Sequence, residues 1–309
     1  MFILGQTLIL LGFLLQIFNL IYDIRFILIK RTHVTGSRKI GSFLDFLILG
    51  MVLLFCIVYL IIFFRQIHYI WVGILLFAGA VFVTTVLLWI STLTKEIRDS
   101  AFTISETLIG IVEARDPNLN GHSLHVQELA LLIYNNLPGG FKRRINEENL
   151  KYAALFHDVG KLGVPEAILN KPASLSPDEW NIMRRHPELS VQILRPLKSF
   201  DLIKEWIMYH HERIDGSGYF KIPGNKIPFA ARIISVADTY SAITMARSYK
   251  PGKSHEEAVE ILQRVEGKQL DTYLVSLFCT IPKEDVVACM ERVKEKIRKQ
   301  ASVAEMLEV

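Results

Sequence analysis

The sequence predicts an all-α protein in two parts. Three apolar N-terminal helices come first, then a connecting helix and an all-helical domain that fills the rest of the 309 residues. Three observations carry this reading. The first third is almost purely apolar, in runs longer than a soluble core helix needs. After residue 120 no stretch shows the period-two alternation of a half-buried strand. Helix-start signals recur there instead. Ser176-Pro177-Asp178-Glu179 has capping-box spacing with proline at the first helical position, and Ser254-His255-Glu256-Glu257 repeats that spacing.

The apolar runs lie at Phe2–Tyr22, Phe43–Phe64 and Tyr69–Leu93. Each meets the length of about 20 helical residues that a hydrocarbon core of about 30 Å requires. The first has no basic flank and no small-residue cleavage pattern, so it reads as a span and not as a signal peptide. Arg25, Lys30, Arg31, Arg38 and Lys39 crowd the first connection, while Arg65 stands alone in the second. By the positive-inside rule the chain is then a multi-pass protein of the cell membrane, with its N-terminus outside and its large domain in the cytoplasm. Gln6, Gln16, Asn19 and Asp45 fit contacts between helices better than an ion path, since no charges pair within the spans. Cys56, Cys279 and Cys289 form no C-x-x-C pair or disulfide framework, as in a reducing compartment. A net charge of +4 is too small to argue for a nucleic-acid polymer as partner.

Residues 94–116 read as a linker helix. Ile97, Ala101, Ile104, Leu108 and Ile111 recur at alternating spacings of four and three. Such a seam fits a coiled coil with a second copy of the chain, hence a homodimer, and equally a stripe packed on the protein's own domain. In either case a continuous helix would couple the spans to the domain, with Asp116-Pro117 ending it. The domain, residues 117–309, is interrupted by one Gly-, Pro- and Asn-rich stretch, Asp215–Pro228, which reads as a long ordered loop. The basic run Arg292–Lys299 reads as the solvated face of a terminal helix.

Seven metal-ligand side chains fall in order along this domain: His122, His157, Asp158, His186, His210, His211 and Asp238. Imidazole and carboxylate donors suit Zn, Mn or Fe. Seven exceed what one ion holding water and substrate can use, which points to two divalent ions and to phosphoryl chemistry. So many histidines are not plausibly all core, because buried polar groups need partners. His157 and Asp158 are adjacent and diverge by about 100° on a helix, a difficulty removed if the carboxylate bridges two ions. Lys161, three residues on, is placed to hold a phosphate oxygen, with Gly160 as a candidate helix end. His33, His68 and His255 fall outside the set. His125 fits a residue orienting a ligand or a solvent-exposed one.

The blocks Gly121-His122-Ser123, His157-Asp158-Val159-Gly160-Lys161, His186-Pro187, His210-His211-Glu212, Asp215-Gly216-Ser217-Gly218-Tyr219 and Ala231–Asp238 resemble, in order and spacing, the HD-GYP domain family. That family is the cyclic dinucleotide phosphodiesterase branch of the HD superfamily, and the resemblance covers residues 105–280. It implies the seven ligands above, with Asp158 and Lys161 at the reacting phosphate. It also implies substrate contacts from Lys161, Arg247 and Lys250, and Tyr219 as a face for stacking on a guanine base. Asn118 stands where trinuclear members carry a glutamate, which keeps the count at two ions. Phe220 replaces the family's proline, His125 an arginine, Ser241 and Ala246 aspartates, and Leu270 a phenylalanine. The expected function is a membrane-anchored phosphodiesterase converting cyclic di-GMP to linear dinucleotide or GMP. The alternatives are a phosphohydrolase of another nucleotide and a non-catalytic nucleotide-binding signalling module.

Overall fold

The computed structural model of the chain describes residues 2–33, 39–65, 70–113, 121–171, 173–245 and 251–307. Among the described residues the fold is all-helical, and no strand forms beyond an isolated bridge between Glu266 and Leu270. Two compact units divide the chain, Met1–Phe102 and Thr103–Val309.

The first unit is built from α1 (Phe2–His33), α2 (Lys39–Phe64) and the apolar part of α3 (Ile70–Glu113). Two stretches of described side chains, Ile3–Arg25 and Ile70–Gly110, are long and apolar enough to cross a membrane. Three were expected. The second expected span does fold as a helix, but its described apolar section runs only over Leu49–Ile62, short of a crossing. The third expected span and the linker are one uninterrupted helix as far as Glu113, and the Asp116-Pro117 stop lies outside the described residues. Of the polar residues expected at contacts between helices, Asn19 makes one, and the side chain of Asp45 lies outside those described. Asn19 is buried, donates to Gln16 and accepts from Thr84 at 3.1 Å, and the Tyr22 hydroxyl donates to Ser91 at 2.7 Å. Tyr59 donates to the Leu76 carbonyl and packs with Ile9 and Ala80.

The second unit continues with α4 (His122–Asn136), α5 (Gly139–Lys142), α6 (Glu147–Phe156), α7 (Glu166–Leu169), α8 (Pro177–Met183), α9 (His186–Leu194) and α10 (Lys204–Met208). It is completed by α11 (Phe229–Thr244), α12 (His255–Val265), α13 (Thr272–Thr280) and α14 (Lys283–Leu307). Helix α4 is the centrepiece, packed on α6, α11 and α14, and its Leu129, Ala130 and Ile133 are fully enclosed. Both expected capping boxes form, Ser176 with Glu179 and Ser254 with Glu257. Arg232 donates to Asp271 and to the Ile227 carbonyl, tying the long loop to α11.

The end of α3 packs on this unit with a different stripe from the one the sequence suggested. Glu106, Ile109 and Glu113 are buried, whereas Ile97, Ile104 and Leu108 stay more than half exposed. Lys296 of α14 reaches Glu106 and Glu128, each at 3.0 Å, and Arg292 donates to Glu128 at 2.7 Å. The basic terminal run is therefore a clasp between α14 and its neighbours at these two positions, and not simply a solvated face.

Candidate metal centre

Local structure aims each ligand. Helix α4 starts abruptly at His122 because Gly121 adopts φ 80°, and a Cβ there would press on Ile297 and Val293. Glu113 satisfies the buried helix end, accepting from the N–H groups of Gly121 at 2.9 Å and Ser123 at 2.6 Å. Helix α6, capped by Asn146, stops at Phe156. Asp158 leaves helical geometry at φ −103°, ψ 3°, and a 3₁₀ turn follows over Val159–Gly163. The helix thus ends earlier than Gly160, and the break turns the Asp158 carboxylate inward beside His157.

That turn lies hard against the start of α9. A Cβ on Gly160 would sit 1.9 Å from the His186 carbonyl oxygen. Ser190 fastens the junction, accepting from the Gly160 N–H at 2.8 Å and donating to the His157 carbonyl at 3.0 Å. His186 opens α9, His210 and His211 follow α10, and Asp238 comes from the middle of α11.

Asp158 stands at the middle of the cluster, and its two oxygens face different histidines. Oδ2 lies 3.3 Å from His157 Nε2 and 3.9 Å from His122 Nε2. Oδ1 lies 3.1 Å from His186 Nε2 and 3.9 Å from His210 Nε2. Asp238 faces His122 Nε2 at 3.1 Å through Oδ1 and His211 Nδ1 at 3.9 Å through Oδ2. All seven expected ligands fall into three overlapping sets of atoms close enough to share an ion: Asp158, His186, His210 and His211; His122, His157 and Asp158; and His157, His210 and Asp238.

The residues fit metal ions on an independent observation. His157 Nε2, His186 Nε2, His210 Nε2 and Asp158 Oδ1 are buried without a hydrogen-bond partner, although they crowd together. Orphaned buried polar atoms carry a heavy desolvation cost, which a shared cation would remove. The other ring nitrogens are already committed. His157 Nδ1 meets the Ala154 carbonyl at 2.7 Å, His186 Nδ1 that of Met183 at 2.8 Å, and His210 Nδ1 that of Ile207 at 2.6 Å. Each carbonyl lies three residues back and fixes the proton on Nδ1, leaving the Nε2 lone pair for a metal.

Charge follows the same plan. Burial pushes His211 down to about 3 and His210 well below its ordinary value, both helped by neighbouring imidazoles, so these rings are neutral. Burial also works against a charged His157, but Asp158 and Asp238 outweigh it and push this ring up to about 9. Asp158 is held well below the usual carboxylate range against its burial, by Lys161 and His157. The Lys161 ammonium sits 2.5 Å from Asp158 Oδ2. Tyr219, pushed up to about 12 chiefly by burial, packs its ring 4.7 Å from that of His211, with the Arg184 guanidinium 5.6 Å from its centroid.

Of the expected substrate contacts, Lys161 and Tyr219 are therefore at the centre, while Arg247, Lys250 and the departure Ala246 lie outside the described residues. Asn118 does too. His125 is buried and its Nδ1 lies 3.0 Å from Ser241 Oγ, which excludes the solvent-exposed reading. His255 accepts or donates at Nδ1 with the Tyr240 hydroxyl, 2.8 Å away, apart from the cluster. Sequence reasoning missed Ser190, Glu113 and Arg184, and noted Ser241 only as a departure from the family pattern. Serines and single charged residues carry no periodic signal, and only the i+3 offset of Ser241 from Asp238 hinted at a shared face.

A family model described as HD domain matches residues 106–274. A probable cyclic di-GMP phosphodiesterase of Vibrio cholerae is 35% identical over 186 residues, 55% of this chain and 42% of that protein. A cyclic di-GMP phosphodiesterase of Thermotoga maritima is 34% identical over 192 residues, 61% of this chain and 51% of its own. A 3'3'-cGAMP-specific phosphodiesterase of Vibrio cholerae is 34% identical over 185 residues, 59% of this chain and 35% of its own. The chain thus spans between about a third and a half of the length of these relatives.

Proposed function

The chain belongs to the HD domain family, and from that membership and the geometry of its centre we propose that it is a metal-dependent phosphodiesterase of the HD-GYP branch, hydrolysing cyclic di-GMP to the linear dinucleotide or GMP. The observation that carries this reading is the division of the Asp158 carboxylate, Oδ2 toward His122 and His157, Oδ1 toward His186 and His210. With the histidines that its two oxygens face, and with Asp238 and His211, this carboxylate would hold two divalent ions, Fe, Mn or Zn. Such ions supply an activated water and Lewis-acid stabilisation of a phosphoryl group.

The chain's own residues do the rest. Lys161 places a fixed positive charge beside Asp158, where it would hold a non-bridging phosphate oxygen and counter the charge that grows on it. Arg247 and Lys250 are proposed to grip the same phosphate. Tyr219, beside His186 and His211, is the proposed stacking face for a guanine base, and Arg184 must swing from its ring to admit one. The exposed seam of α3, with Ile97, Ala101, Ile104 and Leu108, is the proposed contact for a second copy of the chain. The apolar N-terminal helices are proposed to anchor the protein in the cell membrane as a multi-pass segment. The basic connection Arg25–Lys39 would then lie in the cytoplasm, with the domain, and the N-terminus outside.

The test uses the full chain in detergent, purified without oxygen and loaded with Mn or Fe. It is given cyclic di-GMP, mixed cyclic GMP-AMP and cyclic di-AMP in parallel, beside a variant carrying His157→Ala and Asp158→Ala. Linear product from cyclic di-GMP in the parent chain alone is the expected result. Preference for the mixed dinucleotide would move the assignment to another substrate of the same centre. Binding without turnover at full metal occupancy would make the chain a nucleotide-binding module.

A further inference from the structure

His122 is held differently from the other ligand histidines. It is the first residue of α4. Its two ring nitrogens are instead met by one helix, α11, at positions one turn apart. Asp238 Oδ1 lies 3.1 Å from Nε2, and Ser241 Oγ lies 3.0 Å from Nδ1. The same Ser241 oxygen lies 3.0 Å from Nδ1 of His125, which stands one turn after His122 on α4. Ser241 is fully buried and His125 is 2% exposed, so the arrangement is shielded from bulk solvent.

The protons can be counted. A metal at His122 Nε2 requires the ring's proton on Nδ1, and that N–H then donates to Ser241 Oγ. A serine hydroxyl has a single proton to give. Two acceptors compete for it, the Met245 thioether at 3.3 Å and the His125 Nδ1 lone pair. The imidazole nitrogen is much the better acceptor, which places the His125 proton on Nε2. With His125 Nδ1 donating instead, the hydroxyl would have only the Met245 thioether to give its proton to, a much weaker acceptor. We infer that Ser241 and His125 form a positioning pair that locks the tautomer and ring orientation of His122, and thereby sets how tightly the metal position served by His122 is filled. This rests on the metal reading of the centre.

The experiment follows metal content per full-length chain in detergent, loaded with Mn and equilibrated against a series of chelator concentrations. Replacing an outer partner of a ligand histidine typically weakens metal binding about 10–100-fold. Ser241→Ala should therefore release metal at chelator levels lower by that factor, a larger change than any fall in the melting temperature of the metal-free chain accounts for. Ser241→Thr, which keeps the hydroxyl, should restore retention. His125→Leu keeps the hydroxyl but removes its acceptor, and should weaken retention in the same direction. Release by Ser241→Ala identical to the parent overturns the inference. So does a loss matched by an equal fall in metal-free stability, which would mark a packing role. Should Ser241→Ala not fold, parent-like release by His125→Leu is the overturning result. A parent chain that takes up no metal overturns the metal reading and this inference with it, and is recognised because no variant is needed to see it.

Discussion

His157, His186 and His210 are held by their own stretch of backbone, whereas His122 is held by side chains of a helix more than a hundred residues away. For the first group the support is local. Each ring donates to the carbonyl three residues earlier, so ring and support come from the same short segment. His122 acquires its support only when α4 docks on α11 and brings Ser241 to Nδ1. Backbone-held ligands should keep their orientation through local loosening, and the side-chain-held one should lose it as soon as that helix pair separates. The side of the centre served by His122 is then the more easily emptied.

The strongest way to break this comparison is to remove the group both sides share. Asp158→Ala deletes the oxygen facing His122 and His157 together with the one facing His186 and His210. Metal retention should fall at both positions by more than the roughly 100-fold that outer-partner changes cost, and hydrolysis should vanish with it. His122→Ala and His186→Ala should each weaken mainly one position. Equal stripping of both ions by either single variant, read as metal per chain, would erase the division into two sides.

Next in size is the competition between metal and protons. His157 holds its proton up to about pH 9, so filling its position releases that proton. Apparent affinity should rise about tenfold from pH 7 to pH 8, and a flat response would break the assignment of His157 Nε2 as a ligand atom. Stability of the metal-free chain has the matching signs. The raised His157 contributes fully below about pH 6.5, its unfolded value, and that contribution is lost as pH rises through about 9. His125 and His211, both depressed to about 3, are kept neutral in the fold. Their contribution is present above about 6.5 and is lost as pH falls toward 3. Thermal melting against pH with metal removed should peak near pH 6.5.

How much of this was legible beforehand depends on whether a residue announces its partner. The gathering of the seven expected ligands into one cluster was, because their order and chemistry leave few other uses, and so were the capping boxes at Ser176 and Ser254. Burial of Glu106 and Glu113 was not. An apolar-stripe rule selects Ile104 and Leu108, yet the glutamates go inside because Lys296 and the N–H groups of Gly121 and Ser123 come to meet them. The same pairing converts Arg292 and Lys296 from a presumed solvated face into a clasp. The aim of Asp158 was half legible. Adjacency to His157 demanded a bridge, but the helix end at Phe156 that turns the carboxylate inward is set by the close approach of Gly160 to α9.

Ser190→Ala sharpens the contrast from the backbone-held side. It leaves the buried Gly160 N–H without an acceptor and the His157 carbonyl without its donor, at a cost of about 1–3 kcal/mol. The loss should appear as a lower melting temperature even without metal. Ser241→Ala also strips buried ring nitrogens of a partner, but it should change metal retention by more than its loss of stability explains, which Ser190→Ala should not. If the two serine variants behave alike, support through backbone and support through side chain are not different in kind.

The smallest effect concerns His211, whose ring rests on Tyr219. The loop carrying Tyr219 is clasped by buried Glu212, which accepts from the Phe220 N–H at 2.5 Å and the Ile222 N–H at 3.0 Å. Phe220 occupies the position where the HD-GYP pattern has proline, and proline has no N–H to give. Phe220→Pro therefore removes one of two donors to a buried carboxylate, a loss of about 1.5–3 kcal/mol. Proline's restriction of the unfolded chain returns about 0.4–1 kcal/mol where the backbone tolerates it. A net destabilisation of about 1 kcal/mol is expected, read from denaturant midpoints. A loosened Tyr219 should raise KM for the dinucleotide more than it lowers kcat, because the ring is a binding face and not a reacting group. A stabilised Phe220→Pro chain with unchanged KM would show that the Glu212 clasp holds Tyr219 in place without that N–H.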